Sequence, residues 1–239
     1  MNTLEVNQSK VGEIVSLNYN TAGVFQKYGI DFCCGGGVSV EKACLKKGLD
    51  TETVANELIS LLNTPTHSSD SYNTWSISFL IDYIVNTHHN FVRNKLQEMG
   101  FYAARVAEVH GITHPENVEI YKLFLDLSKE MTDHMASEEN EVFPLLKQIE
   151  SLIADKLTIP DNIEKEFSTL VDQMEREHDG AGGLMKQIRS LTNDYTPPVD
   201  ACTKYRILYQ NLEAFEQDLH KHVHLENNVL FPKVSNLLF

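Results

Sequence analysis

Four stretches of this chain are apolar along one helical face except where a histidine or a glutamate interrupts it, and these interruptions constrain the fold more than anything else in the sequence. Steps of three and four residues trace one face of a helix. From about residue 75 to 98 they pick out Ile77, Ile81, Val85, His89, Val92 and Leu96. From 116 to 149 they give Phe124, Leu127, Met131, His134, Glu138, Val142 and Leu145. From 161 onward they give Ile163, Phe167, Leu170, Met174, His178, Ala181, Met185 and Ile188, and from 203 to 236 Leu208, Leu212, Phe215, Leu219, His222, Glu226 and Val229. No strand-like alternation of similar length is present. The sequence therefore predicts an all-α chain: an antiparallel four-helix bundle over residues 75–239, a small helical domain over 1–62, and a linker rich in Ser, Thr and Asn over 63–74.

The bundle repeats itself. HMASEENEVFP (134–144) and HVHLENNVLFP (222–232) share His, Glu, Asn, Phe and Pro at matching positions. His89 precedes the first motif and His178 the second by nearly equal spacings, which predicts two equivalent helical hairpins. Within each motif the His and Glu are four residues apart, so both project from one face of their helix.

Six ionisable groups among apolar residues would each cost several kcal/mol if left ionised and unpaired. A metal removes that cost. Four imidazoles and two carboxylates without thiolate argue against a structural zinc site and for a dinuclear non-haem iron centre, with manganese as the competitor. The expected ligands are His89, His134, Glu138, His178, His222 and Glu226. If each Glu bridges and an oxo or hydroxo group is added, two metals of about six-coordinate preference keep one open position each, enough for dioxygen or nitric oxide. A single His on such a face is usually a hydrogen-bonded core residue; it is the six coincidences together that carry the reading. His88 competes with His89, but its stripe runs into Lys95. His67, His110, His114, His220 and His224 read as surface residues, His110 and His224 also as groups behind the ligands. Phe143 and Phe231 either wall the site or simply pack, Pro144 and Pro232 bend the helices, and Gly180, Gly182 and Gly183 serve close packing or access.

The small domain predicts helices near 10–27, 39–47 and 51–62, with YGIDFCCGGG between the first two. Three consecutive glycines suit positive φ and close approach, which puts Cys33 and Cys34 on a tight turn before a helix starting near Ser39. There they serve as a strained disulfide, as reactive thiolates or as small packing residues; Cys44 and Cys202 read as packing. Acids outnumber bases 34 to 20, a net charge of −14 that repels nucleic acid and anionic membranes. Four Cys, no apolar leader and no long apolar run together read as a reduced, soluble, cytoplasmic protein.

DFCCGGG, THHN, HMASEENEVFP, REHDGAGG and HVHLENNVLFP in one chain resemble the di-iron iron-sulfur cluster repair proteins, the Repair of Iron Centres family, over nearly its whole length. The resemblance implies a haemerythrin-like bundle with the six ligands named above and a bacterial cytoplasmic setting. It further implies a role in recovering clusters after nitrosative or oxidative damage. One His fewer than in oxygen-carrying haemerythrins argues for a site open to reaction. The leading expectation is a repair protein carrying two iron ions that supplies iron to damaged iron-sulfur proteins or handles nitric oxide, with Cys33 and Cys34 in redox or iron transfer. A nitric oxide reductase and a haemerythrin-like oxygen or redox sensor are the alternatives, and a homodimer is left open.

Overall fold

The computed structural model describes residues 1–64 and 72–238. Most of the expected linker, and His67 within it, lies outside them. Among the described residues the chain is helical, with one isolated β-type pairing, Lys10 with Ser39. It forms two compact units, Asp82–Leu219, and Met1–Ile81 together with His220–Phe239. Among the described residues no helix is long and apolar enough to cross a membrane.

The unit Asp82–Leu219 holds α7 (Asn90–His110), α8 (Glu116–Ser137), α9 (Phe143–Ala154), α10 (Asp161–Leu191) and most of α11 (Thr203–Leu225). Helix α8 packs against both α7 and α10. The faces traced in the sequence are the faces buried: Met99, Phe124, Leu127, Met174, Met185, Ile188, Leu212 and Phe215 are almost wholly enclosed. Polar ties fix the helices laterally. Asn117 Nδ2 donates to Tyr205 Oη (2.9 Å), Lys95 Nζ to Asn211 Oδ1 (2.9 Å), and Arg189 Nε to Glu216 Oε1 (3.1 Å).

The departure from simple periodicity is a set of π-helical turns, Val85–His89, Glu138–Val142 and Glu226–Leu230. In each, a backbone N–H reaches back five residues: Asn90 to Val85, Phe143 to Glu138, Phe231 to Glu226. Pro144 and Pro232 follow two of these turns and lack the N–H that would continue the ordinary ladder. Asn side chains supply donors nearby, Asn86 to Asp82 O (2.7 Å) and Asn140 to Ala136 O (2.7 Å). The extra residue explains why Val85 is only half-buried while Ile84, His88 and His89 are enclosed.

The second unit contains α1 (Thr3–Gln8), α2 (Val11–Leu17), α3 (Ala22–Lys27), α4 (Val40–Lys47), α5 (Thr51–Leu62), the start of α6 (Ile77–Ile84), and α12 (Phe231–Leu238). The single run expected over 10–27 is broken at Asn18, whose side chain accepts from Asn20 N and donates to Leu61 O. Ser39 caps α4 and Asp50 caps α5, where the sequence places helix starts. Core residues include Val11, Ile14, Phe25, Phe32, Val40, Leu58, Leu230 and Val234.

The glycine run does not work through positive φ, which among the described glycines only Gly29 and Gly48 adopt. It works through close approach. The turn returns to α2 by Val11 N to Val38 O and Gly12 N to Gly36 O, both 2.9 Å. Asn228 of the third π-turn fits between the glycines: a Cβ on Gly12 would stand 2.0 Å from Asn228 Oδ1, and one on Gly36 would stand 2.6 Å away. Gly12→Ala should therefore destabilise the protein by about 1–3 kcal/mol, as an overpacked core does. Gly23→Ala, in α3 with nothing within 4 Å, should be neutral or stabilising by up to about 1 kcal/mol. Denaturant unfolding of the two variants checks the contrast.

Candidate metal centre

Three π-turns carry predicted ligands: His89 ends the first, Glu138 begins the second and Glu226 begins the third. In the unit Asp82–Leu219 the structure gathers four of the six. His89 Nε2 lies 3.2 Å and His134 Nε2 3.3 Å from Glu138 Oε2, and His178 Nε2 is 3.1 Å from His134 Nε2. All four side chains are buried. Glu138 is 0 % exposed, and neither carboxylate oxygen has a hydrogen bond among the described residues. Leaving such a carboxylate unsatisfied costs several kcal/mol, so the donor set fits a cation.

Two carboxylates that the sequence reading did not single out orient the imidazoles. His89 Nδ1 donates to Glu139 Oε1 (2.6 Å) and His134 Nδ1 to Glu177 Oε2 (2.8 Å). Burial pushes the Glu139 carboxyl up, but the hydrogen bonds from His89 and Arg93 outweigh it and hold it below the usual range. The His134 hydrogen bond holds Glu177 down against its partial burial. Ionised acceptors require the protons on Nδ1, which leaves each Nε2 turned toward Glu138 as the nitrogen that could ligate a metal. Both carboxylates sit next to a ligand in the chain, Glu139 after Glu138 and Glu177 before His178, and that adjacency is the signal that could have found them. Arg93 Nη2 (2.5 Å) and Gln173 Nε2 (2.8 Å) support them in turn.

His88, the rival of His89, bonds through Nδ1 to Asp218 Oδ1 (2.9 Å) and lies edge-on to Tyr83. Phe143 stacks on His89 with ring centroids 5.7 Å apart. Gly183 has nothing within 4 Å of where a Cβ would stand, so close packing does not account for it. Cys202 is exposed rather than packed, with its Sγ 3.2 Å from His110 Nε2.

In the other unit His222 and Glu226 form a fully buried pair, Nε2 to Oε1 2.9 Å. His224, read from the sequence as a surface residue or a group behind the ligands, is buried. It is enclosed between the rings of Tyr19 and Phe32, near Ser16 Oγ, and burial lowers its pKa to about 4, so it stays neutral. Asn228 Nδ2 donates to Cys33 O (3.0 Å) and Phe32 O (3.3 Å), tying the double-cysteine turn to the π-turn that carries Glu226. Cys33 and Cys34 are free thiols with sulfurs 4.0 Å apart. Cys33 is not the activated, exposed thiolate the sequence allowed: its hydrogen bond to Cys34, then burial, push its thiol well above the ordinary range.

Removing an orienting carboxylate should weaken metal binding with every ligand still present. Glu177→Gln and Glu139→Gln should each lower metal affinity by about 10–100-fold. Chelator competition measures this, with far-ultraviolet circular dichroism showing the helices intact.

Residues 7–62 match the domain of unknown function DUF542, and residues 80–234 match the hemerythrin HHE cation binding domain. The chain is 36% identical over 96% of its length to the iron-sulfur cluster repair protein ScdA of Staphylococcus haemolyticus, covering 99% of that protein. It is 33% identical to a probable iron-sulfur cluster repair protein of Haemophilus influenzae, with 96% of this chain and 97% of the relative aligned. Against the iron-sulfur cluster repair protein YtfE of Escherichia coli it is 31% identical, over 93% of this chain and 94% of the relative. With a DUF542 match preceding a hemerythrin HHE match, the chain belongs to the iron-sulfur cluster repair family.

Proposed function

We propose that this protein repairs iron-sulfur clusters damaged by nitrosative or oxidative stress in the bacterial cytoplasm, using two iron ions held by His89, His134, Glu138, His178, His222 and Glu226. The observation that carries the reading is Glu138, a fully enclosed carboxylate without a hydrogen bond among the described residues, faced by imidazole nitrogens whose own protons are fixed on the opposite side of the ring. Its Oε2 lies within 3.3 Å of two different imidazoles, which supports Glu138 as one of the residues that would hold the iron. His222 and Glu226 repeat the same His-x-x-x-Glu unit and complete the set.

Bound iron would supply a cation that changes oxidation state and exchanges with a client protein. The chain's own groups set how tightly it is kept. Glu139 and Glu177 hold the Nδ1 protons and raise the donor strength of His89 and His134. Phe143 shields His89 on one face and keeps water from that ring. No thiolate belongs to this ligand set, and nitrogen and oxygen donors hold ferrous iron less firmly than sulfur does, which suits a donor. Cys33 and Cys34 serve the transfer of iron or of electrons.

Protein loaded with iron, mixed with an enzyme whose cluster has been damaged by nitric oxide, should restore activity beyond an equal amount of free iron. His134→Ala should lose both the bound iron and the recovery. Recovery no better than free iron would sink the donor role, and nitrous oxide released over many turnovers would assign the centre to nitric oxide reduction instead.

A further inference from the structure

The double-cysteine turn holds a third metal-binding side chain beside the two thiols. Asp31 Oδ1 lies 3.3 Å from Cys33 Sγ, Cys33 Sγ is 4.0 Å from Cys34 Sγ, and donor atoms of all three residues fall within 4.8 Å of one another. We propose that Asp31, Cys33 and Cys34 form a second cation site, with two sulfur donors and one oxygen donor, for a borderline-soft divalent ion such as ferrous iron.

The spacing fits one tetrahedral ion. Two sulfurs at about 2.3 Å from a metal and subtending a tetrahedral angle stand roughly 3.8 Å apart, and a carboxylate oxygen at about 2.1 Å stands roughly 3.6 Å from either sulfur. The observed 4.0 Å between the sulfurs and 3.3 Å from Asp31 Oδ1 to Cys33 Sγ each lie within about 0.3 Å of these values. A disulfide fits less well, because neighbouring residues across a trans peptide have Cα atoms about 3.8 Å apart, below the roughly 4.4 Å at which disulfides begin.

The donors are held in place before any ion arrives. Asp31 Oδ1 accepts from Cys33 N (3.2 Å) and Gly35 N (3.1 Å), which aims the carboxylate at the thiols. Gly35 permits this seat, since a Cβ there would come within 3.0 Å of the Asp31 side chain. Asn228 fixes the other side of the turn through the Cys33 carbonyl. Cys33 is 6 % exposed while Cys34 is half-buried, so the site is enclosed on one side and reachable on the other. Three protein ligands leave one position of a tetrahedral ion open to an incoming donor, the form of a transfer site rather than a structural one. Sulfur donors select ferrous iron, cobalt or zinc over magnesium and calcium. Loading displaces one proton from each thiol and involves no electron transfer, so affinity rises with pH.

The inference deepens the iron-transfer role given to the cysteines and rests on that reading for its purpose, but its test reads binding alone. Full-length protein, with the iron content of the His/Glu centre fixed by metal analysis and its thiols reduced, is titrated anaerobically with cobalt(II). The expected result is one further equivalent of cobalt per chain with a near-ultraviolet thiolate-to-cobalt charge-transfer band. The band should vanish in Cys33→Ser with Cys34→Ser. Asp31→Asn keeps an oxygen acceptor for the turn's amides, and it should weaken cobalt binding at least tenfold. A titration without the band, a band that survives the double Ser variant, or unchanged affinity in Asp31→Asn would overturn the site. Failure of cluster repair with the cobalt site intact would instead overturn the donor function.

Discussion

The Glu138 carboxylate, enclosed and without a hydrogen bond among the described residues, sets the terms for the unit Asp82–Leu219. An apolar bundle tolerates such a group only if a positive charge meets it, and the surrounding nitrogens meet it as lone-pair donors rather than as cations. Glu139 and Glu177 enforce this by keeping the protons of His89 and His134 on the far side of each ring. Arg93 and Gln173 then balance those outer carboxylates at the surface. The charge pattern therefore runs outward in layers: an acceptor at the centre, oriented imidazoles around it, anions behind them, and donors at the rim.

The smaller unit solves a different problem, that of holding two adjacent cysteines in a defined shape without a disulfide. Backbone does most of the holding. Amides of Cys33 and Gly35 converge on Asp31, carbonyls of Phe32 and Cys33 receive Asn228, and glycines at 12 and 36 make room for that side chain. His224 packs beneath as a neutral ring between Tyr19 and Phe32. The segment that carries Glu226 thus also supports the cysteine turn, so changes to Asn228 act on the cysteines through their backbone.

The helical character, the buried faces and the gathering of His89, His134, Glu138 and His178 were legible because burial imposes a helical period that apolar residues display directly. Seam residues such as Phe124, Met174 and Phe215 lie where the period puts them. The π-turns were not legible, because one extra residue shifts the period without changing composition; Val85 shows the resulting error. Glu139 and Glu177 look like ordinary surface acids in the sequence, and only the direction of the His Nδ1 atoms reveals their role. His224 was misread because it lies off the seam, although a different set of aromatic rings encloses it. The glycine run announced tight geometry, but whether it served positive φ or close approach depended on Asn228, far away in the chain.

One residue corresponds to about 100° of rotation around a helix. The π-turn at Glu138–Val142 therefore acts as a phase shifter: it lets α8 present His134 and Glu138 inward, then resets the azimuth so that Phe143, Leu146 and Ile149 of α9 also point to the interior. Without that reset the chain would have to choose between aiming its donors and burying its next two turns. Pro144, unable to rejoin the regular ladder, locks the reset in place and makes the ligand-bearing turn a fixed property of the backbone rather than a response to whatever it binds.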